Sequence, residues 1–151
     1  SLGAAVSYLD AEIDEFFTKD PADPPPLQML EDLSGNRLPR APEWELIVDA
    51  AYDWVLDSGR LSLIGRYHWQ DEMFFRAQND PDKVQESVGT LDARLTYFTG
   101  DERWRISVFG SNLTDEQAFT HLLIEAGLLG SPVNVVPNAP RTYGVEVGFR
   151  Y

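Results

Sequence analysis

The chain has 151 residues, with 12 Lys and Arg against 25 Asp and Glu, a formal charge of −13, 43% hydrophobic and 12% aromatic residues, and no cysteine. Four Trp, six Tyr and eight Phe are too many for an acidic disordered tail; the missing basic cluster disfavours nucleic acid and anionic lipid surfaces as partners; and the missing cysteine removes disulfides, thiolate metal sites and Cys nucleophiles. No apolar run approaches the roughly 18 residues of a membrane-spanning helix, and the start, Ser1 to Val6, lacks the basic region of a signal peptide, so a helical span is excluded while a membrane β-barrel is not.

All ten prolines fall between Pro21 and Pro42, at Pro81, or between Pro132 and Pro140, and these stretches read as loops. The proline-free segments between them alternate with period two, which predicts six strands in one domain, or one piece of a larger one. The first runs from Leu2 to about Ile13 and puts Leu2, Ala4, Val6 and Tyr8 on one face. Next, Leu46, Val48, Ala50, Tyr52 and Trp54 alternate with Ile47, Asp49, Ala51, Asp53 and Val55. Leu61, Leu63, Gly65, Tyr67 and Trp69 then alternate with Ser62, Ile64, Arg66, His68 and Gln70. Leu91, Ala93, Leu95 and Tyr97 alternate with Asp92, Arg94 and Thr96, and Trp104, Ile106 and Val108 with Arg105, Ser107 and Phe109. In the last segment, Arg141 to Tyr151, an apolar face of Tyr143, Val145, Val147, Phe149 and Tyr151 opposes Thr142, Gly144, Glu146, Gly148 and Arg150. None of the six apolar faces carries a charge.

The connections alternate in length. Those at Asp57-Ser58-Gly59 and at Thr99-Gly100-Asp101-Glu102 are tight, and those starting at Asp14, Glu72 and Thr114 are long. In an antiparallel up-and-down meander this puts every tight turn at one end, which is the rule for outer-membrane barrels. With that arrangement, Tyr52, Trp54, Tyr97, Trp104, Phe149 and Tyr151 form a belt at the turn end, and Tyr8, Trp44, Tyr67, Trp69 and Tyr143 form one near the long loops. Aromatic girdles at two membrane interfaces have this form. The other face carries Asp49, Asp53, Arg66, His68, Gln70, Asp92, Arg94, Arg105, Glu146 and Arg150, a mixed-sign wall suited to a wet or protein-filled lumen and equally to the solvated side of a soluble sheet. Ile47, Val55, Ile64 and Phe109 are apolar exceptions there. The alternation alone therefore leaves open a soluble β-sandwich binding module, one for carbohydrate included.

Three sequence elements carry a resemblance. Gly110 to Glu116, closing the strand that begins at Trp104, resembles the Asn-Leu-Thr-Asp element of the penultimate strand in TonB-dependent outer-membrane receptors. Ala139 to Gly144, leading into an alternating strand that ends on Tyr151, is similar to that family's last strand, and Leu33 to Trp44 to its lead into a barrel strand. Phe119 stands where the family pattern has Tyr. The resemblance covers essentially residues 1–151 and implies an all-β segment from the C-terminal part of a transmembrane barrel of ~22 strands, without the plug domain and its TonB box. It further implies a receptor in the bacterial outer membrane, no enzyme, that takes up a scarce nutrient such as a ferric siderophore, cobalamin or a glycan. The implied partners are outer-membrane lipid, the rest of the barrel and plug, the barrel-assembly machinery through the last strand, and TonB only through the plug.

Other chemistry has no foothold. There is no P-loop, no Gly-x-Gly-x-x-Gly and no Gly-x-Ser-x-Gly elbow. His68 and His121, the two histidines, read as a wall residue and a loop residue, and the acid pairs Asp14/Glu15, Glu31/Asp32 and Asp115/Glu116 lack the ligand rhythm of a Ca²⁺ loop. No catalytic, cofactor-binding or metal-binding residue is predicted, and no cofactor. The apolar run from Leu122 to Leu129, with Phe119, predicts a short helix in the last long loop.

Overall fold

The computed structural model describes residues 1–124 and 132–151. Twelve strands are formed by these residues: β1 (Leu2–Tyr8), β2 (Phe17–Lys19), β3 (Leu30–Asp32), β4 (Trp44–Leu56), β5 (Gly59–Gln70), β6 (Met73–Phe74), β7 (Val84–Gln85), β8 (Val88–Thr99), β9 (Trp104–Ser111), β10 (Phe119–Ile124), β11 (Val133–Pro137) and β12 (Thr142–Phe149). Six of them make one sheet in the order β1-β4-β5-β8-β9-β12. Every neighbouring pair in it is antiparallel, so the fold is the expected all-β meander. The other six form three two-stranded ribbons, one in each long connection.

Register decides what the alternation means. Across the strands, Trp54 faces Leu61, Leu61 faces Tyr97, Tyr97 faces Ile106 and Ile106 faces Val147. Tyr52, Leu63, Leu95, Val108 and Val145 make the next such row. Because each strand keeps its period of two in phase with its neighbours, the separate apolar faces fuse into one apolar surface. Much of that surface is exposed: Leu2 is 78%, Val145 68% and Val147 60% accessible. Among the described residues no second sheet packs against it, which is the partner a β-sandwich would need.

Two turns set the tight end. The β4–β5 hairpin turns at Asp57 and Ser58, and a Cβ at Gly59 would run into the Phe98 carbonyl oxygen, so only glycine allows β5 to approach β8 there. In the β8–β9 turn the Asp101 carboxylate accepts from the Thr99 hydroxyl at 2.6 Å and from the Arg103 amide at 3.2 Å, and Glu102 takes φ 56°. These bonds, from the Thr99 hydroxyl first, hold the Asp101 carboxyl below its ordinary pKa.

Two expectations need correction. β1 ends at Tyr8, short of Ile13. Beyond it the chain makes only scattered bonds to residues 36–43, such as Leu9 N–H to Glu43 O and Leu38 N–H to Ala11 O, because Pro39 and Pro42 in that partner segment have no N–H to donate to a ladder. Leu122–Ile124 are not helical but lie in β10, facing Val133–Val135 of β11; the β-branched partner makes extended pairing the better choice for a short apolar run. Residues 125–129 of that expected helix lie outside the described residues. β9 ends at Ser111, where Asn112, with a φ of 50°, turns the chain out of the ladder, so Tyr143, paired with Gly110, sits at the loop end of the β9–β12 pair.

Candidate functional site

Two regions can do chemistry: the polar face of the sheet and the cluster of long connections at one end. On the polar face, register brings opposite charges together. Asp49 and Arg66 face each other across β4 and β5 and form a two-pronged pair at 2.6 and 3.1 Å. Arg60 reaches Asp53 at 3.2 Å. Glu146 is shared by Arg94, at 2.9 Å, and Arg105. Beneath this bridge the Thr96 and Ser107 hydroxyls lie 3.0 Å apart and Ser107 is 1% exposed. Phe109, one of the apolar exceptions, lies under the Arg94 guanidinium at 4.8 Å and against Gly144, where a Cβ would come within 2.7 Å of the ring. Val55 and Ile64 have no such cover and are 88% and 54% exposed.

The aromatic rings sit toward the two ends of the apolar face. Tyr8 and Trp44 are 4.6 Å apart between centroids at the loop end, and Tyr52 with Trp54 and Trp104 with Phe149 are each 4.7 Å apart at the turn end. Tyr67 lies over Gly89, where a Cβ would collide with the ring.

The long connections, residues 9–43, 71–87 and 112–141, hold 17 of the 25 acidic residues and 6 of the 12 basic ones, so the acidic surplus lies mostly at this end. The first two are clasped together. The Asn79 side chain accepts from the Arg37 amide at 2.7 Å and donates back to the Arg37 carbonyl at 3.0 Å, while Asn36 donates to Ala77 O at 2.8 Å. Arg76 bonds Asp80 at 2.6 Å and also pairs with Asp20, which is 7% exposed. Burial raises the Asp20 carboxyl, but the Arg76 guanidinium and the Ala22 amide outweigh it and leave the group below its ordinary pKa; burial likewise lowers Arg76, but the Asp20 and Asp80 carboxylates outweigh it and raise the guanidinium. The third connection is tied more lightly, by Phe119 N–H to Gln85 Oε1 at 2.6 Å and by a 3.5 Å approach of Arg40 to His121.

The Asn112 element is a strand-end lock. Asn112 is 6% exposed; its side chain donates to Glu116 O at 2.9 Å and Ala139 O at 3.1 Å and accepts from the Glu116 amide, while its own amide donates to Asp92. Leu113 N–H reaches Leu91 O at 2.8 Å, Thr114 donates to Gly89 O at 2.9 Å, and Asp115 pairs with Arg141 at 3.0 Å. The motif thus joins β8, β9 and β12 where they leave the sheet. His68 lies on the polar face between Ile47 and Thr90, far along the chain from His121 in β10, and among the described residues no three His, Asp or Glu side chains converge as metal ligands. Sequence reasoning missed the Asn79 clasp to Arg37 and the Arg76 bridge to Asp20, whose partners are distant in the chain and follow no pattern.

Comparison with solved structures shows where the fold of this sheet recurs. The siderophore receptor PiuA from Acinetobacter baumannii matches 99% of this chain with a TM-score of 0.73 at 21% identity. The ferric yersiniabactin uptake receptor FyuA from Yersinia pestis matches 80% of it with a TM-score of 0.67 at 23% identity. The chain has the fold of part of a β-barrel. The ferric preacinetobactin receptor BauA from Acinetobacter baumannii, with a TM-score of 0.59 at 20% identity over 81% of the chain, shares the same barrel fold. In each case the chain spans under a fifth of the receptor's length, 19%, 19% and 18% respectively. No family model matches the sequence, and no curated protein matches it.

Proposed function

We propose that this chain is wall and outer loops of a TonB-dependent outer-membrane receptor that takes up a scarce external nutrient, of which a ferric siderophore, cobalamin and a glycan are candidate classes. The observation that carries this reading is the in-register apolar surface: no charge on the apolar side of any of the six wall strands, wide exposure, and rings grouped toward both ends. A contiguous exposed patch of this size marks contact with lipid or protein in place of water. The likeness to three siderophore receptors supports a siderophore as cargo over the other two classes. In this reading the apolar face meets outer-membrane lipid, and the polar face lines the lumen that the plug, which contacts TonB, would occupy. The three long connections face outward and meet the ligand first. β12, with Tyr151 beyond it, is the strand that the assembly machinery engages.

The test is the chain's solvent. It should remain dispersed only with detergent or lipid, measured by sedimentation with and without micelles, and aqueous quencher should reach its tryptophans in the detergent-free state. A monodisperse monomer in plain buffer with protected tryptophans contradicts the reading.

A further inference from the structure

The first long connection holds an apolar surface in the open on a fixed base. Across its ribbon Phe17 faces Asp32 and Lys19 faces Leu30, so these four side chains share one side. All four residues are exposed, whereas Thr18 and Glu31, on the other side, are half-buried. Leu30 is 66% accessible, and Leu27 and Met29, which lead into β3, are 65% and 75%. Want of order does not explain this exposure. Asp20, the residue after β2, is buried in its bridge to Arg76, and Leu33, the residue after β3, is buried with its N–H on Phe16 O at 2.9 Å. Between the strands, Leu27 N–H reaches Pro24 O at 2.8 Å and the Gln28 side chain donates to Asp23 O at 2.9 Å. One short stretch thus buries Leu33 and holds Met29 and Leu30 outward, which preorganises them for contact.

Charge selects the occupant. From Asp10 to Asp32 the chain carries eight carboxylates and one cation, Lys19. Asp20 alone of the eight has an ion-pair partner among the described residues, so seven carboxylates stand against the free Lys19. Asp32, directly across from Phe17, is bonded only by the Ser34 amide and hydroxyl. A surface of this sign repels phosphorylated lipid headgroups and nucleic acid. A two-stranded ribbon is also flat, whereas small molecules are held in concave sites. We infer that the exposed side of the β2–β3 ribbon is a docking surface for a basic amphipathic polypeptide, which sets apolar side chains on Phe17, Met29 and Leu30 and Lys or Arg side chains by Asp14, Glu15 and Asp32. Apolar contact at the centre with charges around it is the usual division of labour in a protein interface.

The inference goes beyond the uptake reading and requires only that the loop end be open to the medium. In the intact receptor in nanodiscs of zwitterionic lipid, a benzophenone photo-crosslinker in place of Met29 should capture an amphipathic Lys/Leu peptide about tenfold better than a Glu/Leu or a Lys/Ser peptide of the same length. Phe17→Ser with Leu30→Ser, and separately Asp14→Asn with Glu15→Gln, should each lower the yield several-fold while β4 and β5 stay as protected from protease as in the parent. Equal capture of the Lys/Leu peptide and either other peptide, or a yield indifferent to either double variant, would overturn the docking surface and leave the reading of the wall untouched. A crosslink from position 29 to the receptor's own chain in place of the peptide would show that other loops of the barrel cover the ribbon, and would overturn it as well.

Discussion

The two faces of the six-stranded sheet are built from alternate residues of the same strands, yet they hold together by different physics. On the apolar face the rows, such as Tyr52-Leu63-Leu95-Val108-Val145, meet only through van der Waals contact and expose much of their area. On the polar face the rows are joined by ion pairs: Asp49 with Arg66, Asp53 with Arg60, and Glu146 with both Arg94 and Arg105. The lesson is that a binary pattern tells which residues share a face, whereas only the cross-strand register tells whether a polar face is self-satisfied. A wall whose charges already answer one another can border water or protein without demanding a specific partner, except where its pairing is incomplete.

The largest expected contrast comes from one charge placed on either face. Leu63→Arg, at mid-strand on the apolar side of β5, should cost roughly 2–4 kcal/mol in refolding titrations of the intact receptor into liposomes. Ser62→Arg, one residue earlier and directly across from Asp53, should change stability by about 0.5 kcal/mol at most. Equal costs would mean that the faces are not in different solvents.

The strand-end lock comes next. Asn112→Ala removes two donated bonds and two accepted ones at a buried site, and should destabilise by about 1–3 kcal/mol, with increased amide exchange at Leu113 and at residues 139–142. Exchange confined to residues 112–114 would show that the motif does not couple β9 to β12. Glu146→Gln should have the smaller effect, since its partners Arg94 and Arg105 are roughly half exposed and exposed pairs are weak. Double-mutant cycles with Arg94→Gln and Arg105→Gln measure that coupling.

The loop clasp sharpens the contrast between wall and loops through pH. The Asp20 carboxyl lies below its ordinary value in the folded chain, so its contribution is complete above about 4 and is lost as pH falls through the lowered folded value. Limited proteolysis between Asp20 and Arg40 should therefore accelerate in acid while β4 and β5 stay protected. Asp20→Asn should already show the faster cutting at neutral pH and lose most of the acid response. Unchanged cutting in Asp20→Asn would remove the carboxylate from the clasp.

Much of the wall was legible from the sequence because its signal is local. Uninterrupted alternation from Leu46 to Val55 and from Leu61 to Gln70 finds β4 and β5 within a few residues, and Gly59 marks the turn between them. The end of β1 was misplaced because the prolines that stop its pairing lie in another segment, residues 36–43. The ribbons of the long connections leave no such signal, because strands as short as Met73–Phe74 and Val84–Gln85 carry no period to detect. Asn112 was singled out by resemblance, but its bonds to Asp92, Glu116 and Ala139 depend on three separate parts of the chain and leave no trace in spacing.

The central claim, that one face of this sheet meets lipid and the other water, is tested most directly by nitroxide scanning along β5 in the intact receptor reconstituted into bilayers. Labels placed singly from Leu61 to His68 report their accessibility to oxygen, which partitions into hydrocarbon, and to a water-soluble nickel chelate. The account predicts a period of two in opposite phase: oxygen access high at Leu61, Leu63, Gly65 and Tyr67, and nickel access high at Ser62, Ile64, Arg66 and His68. Nickel access at the odd positions, or exclusion of both reagents there as in a sheet covered by other protein, would contradict it.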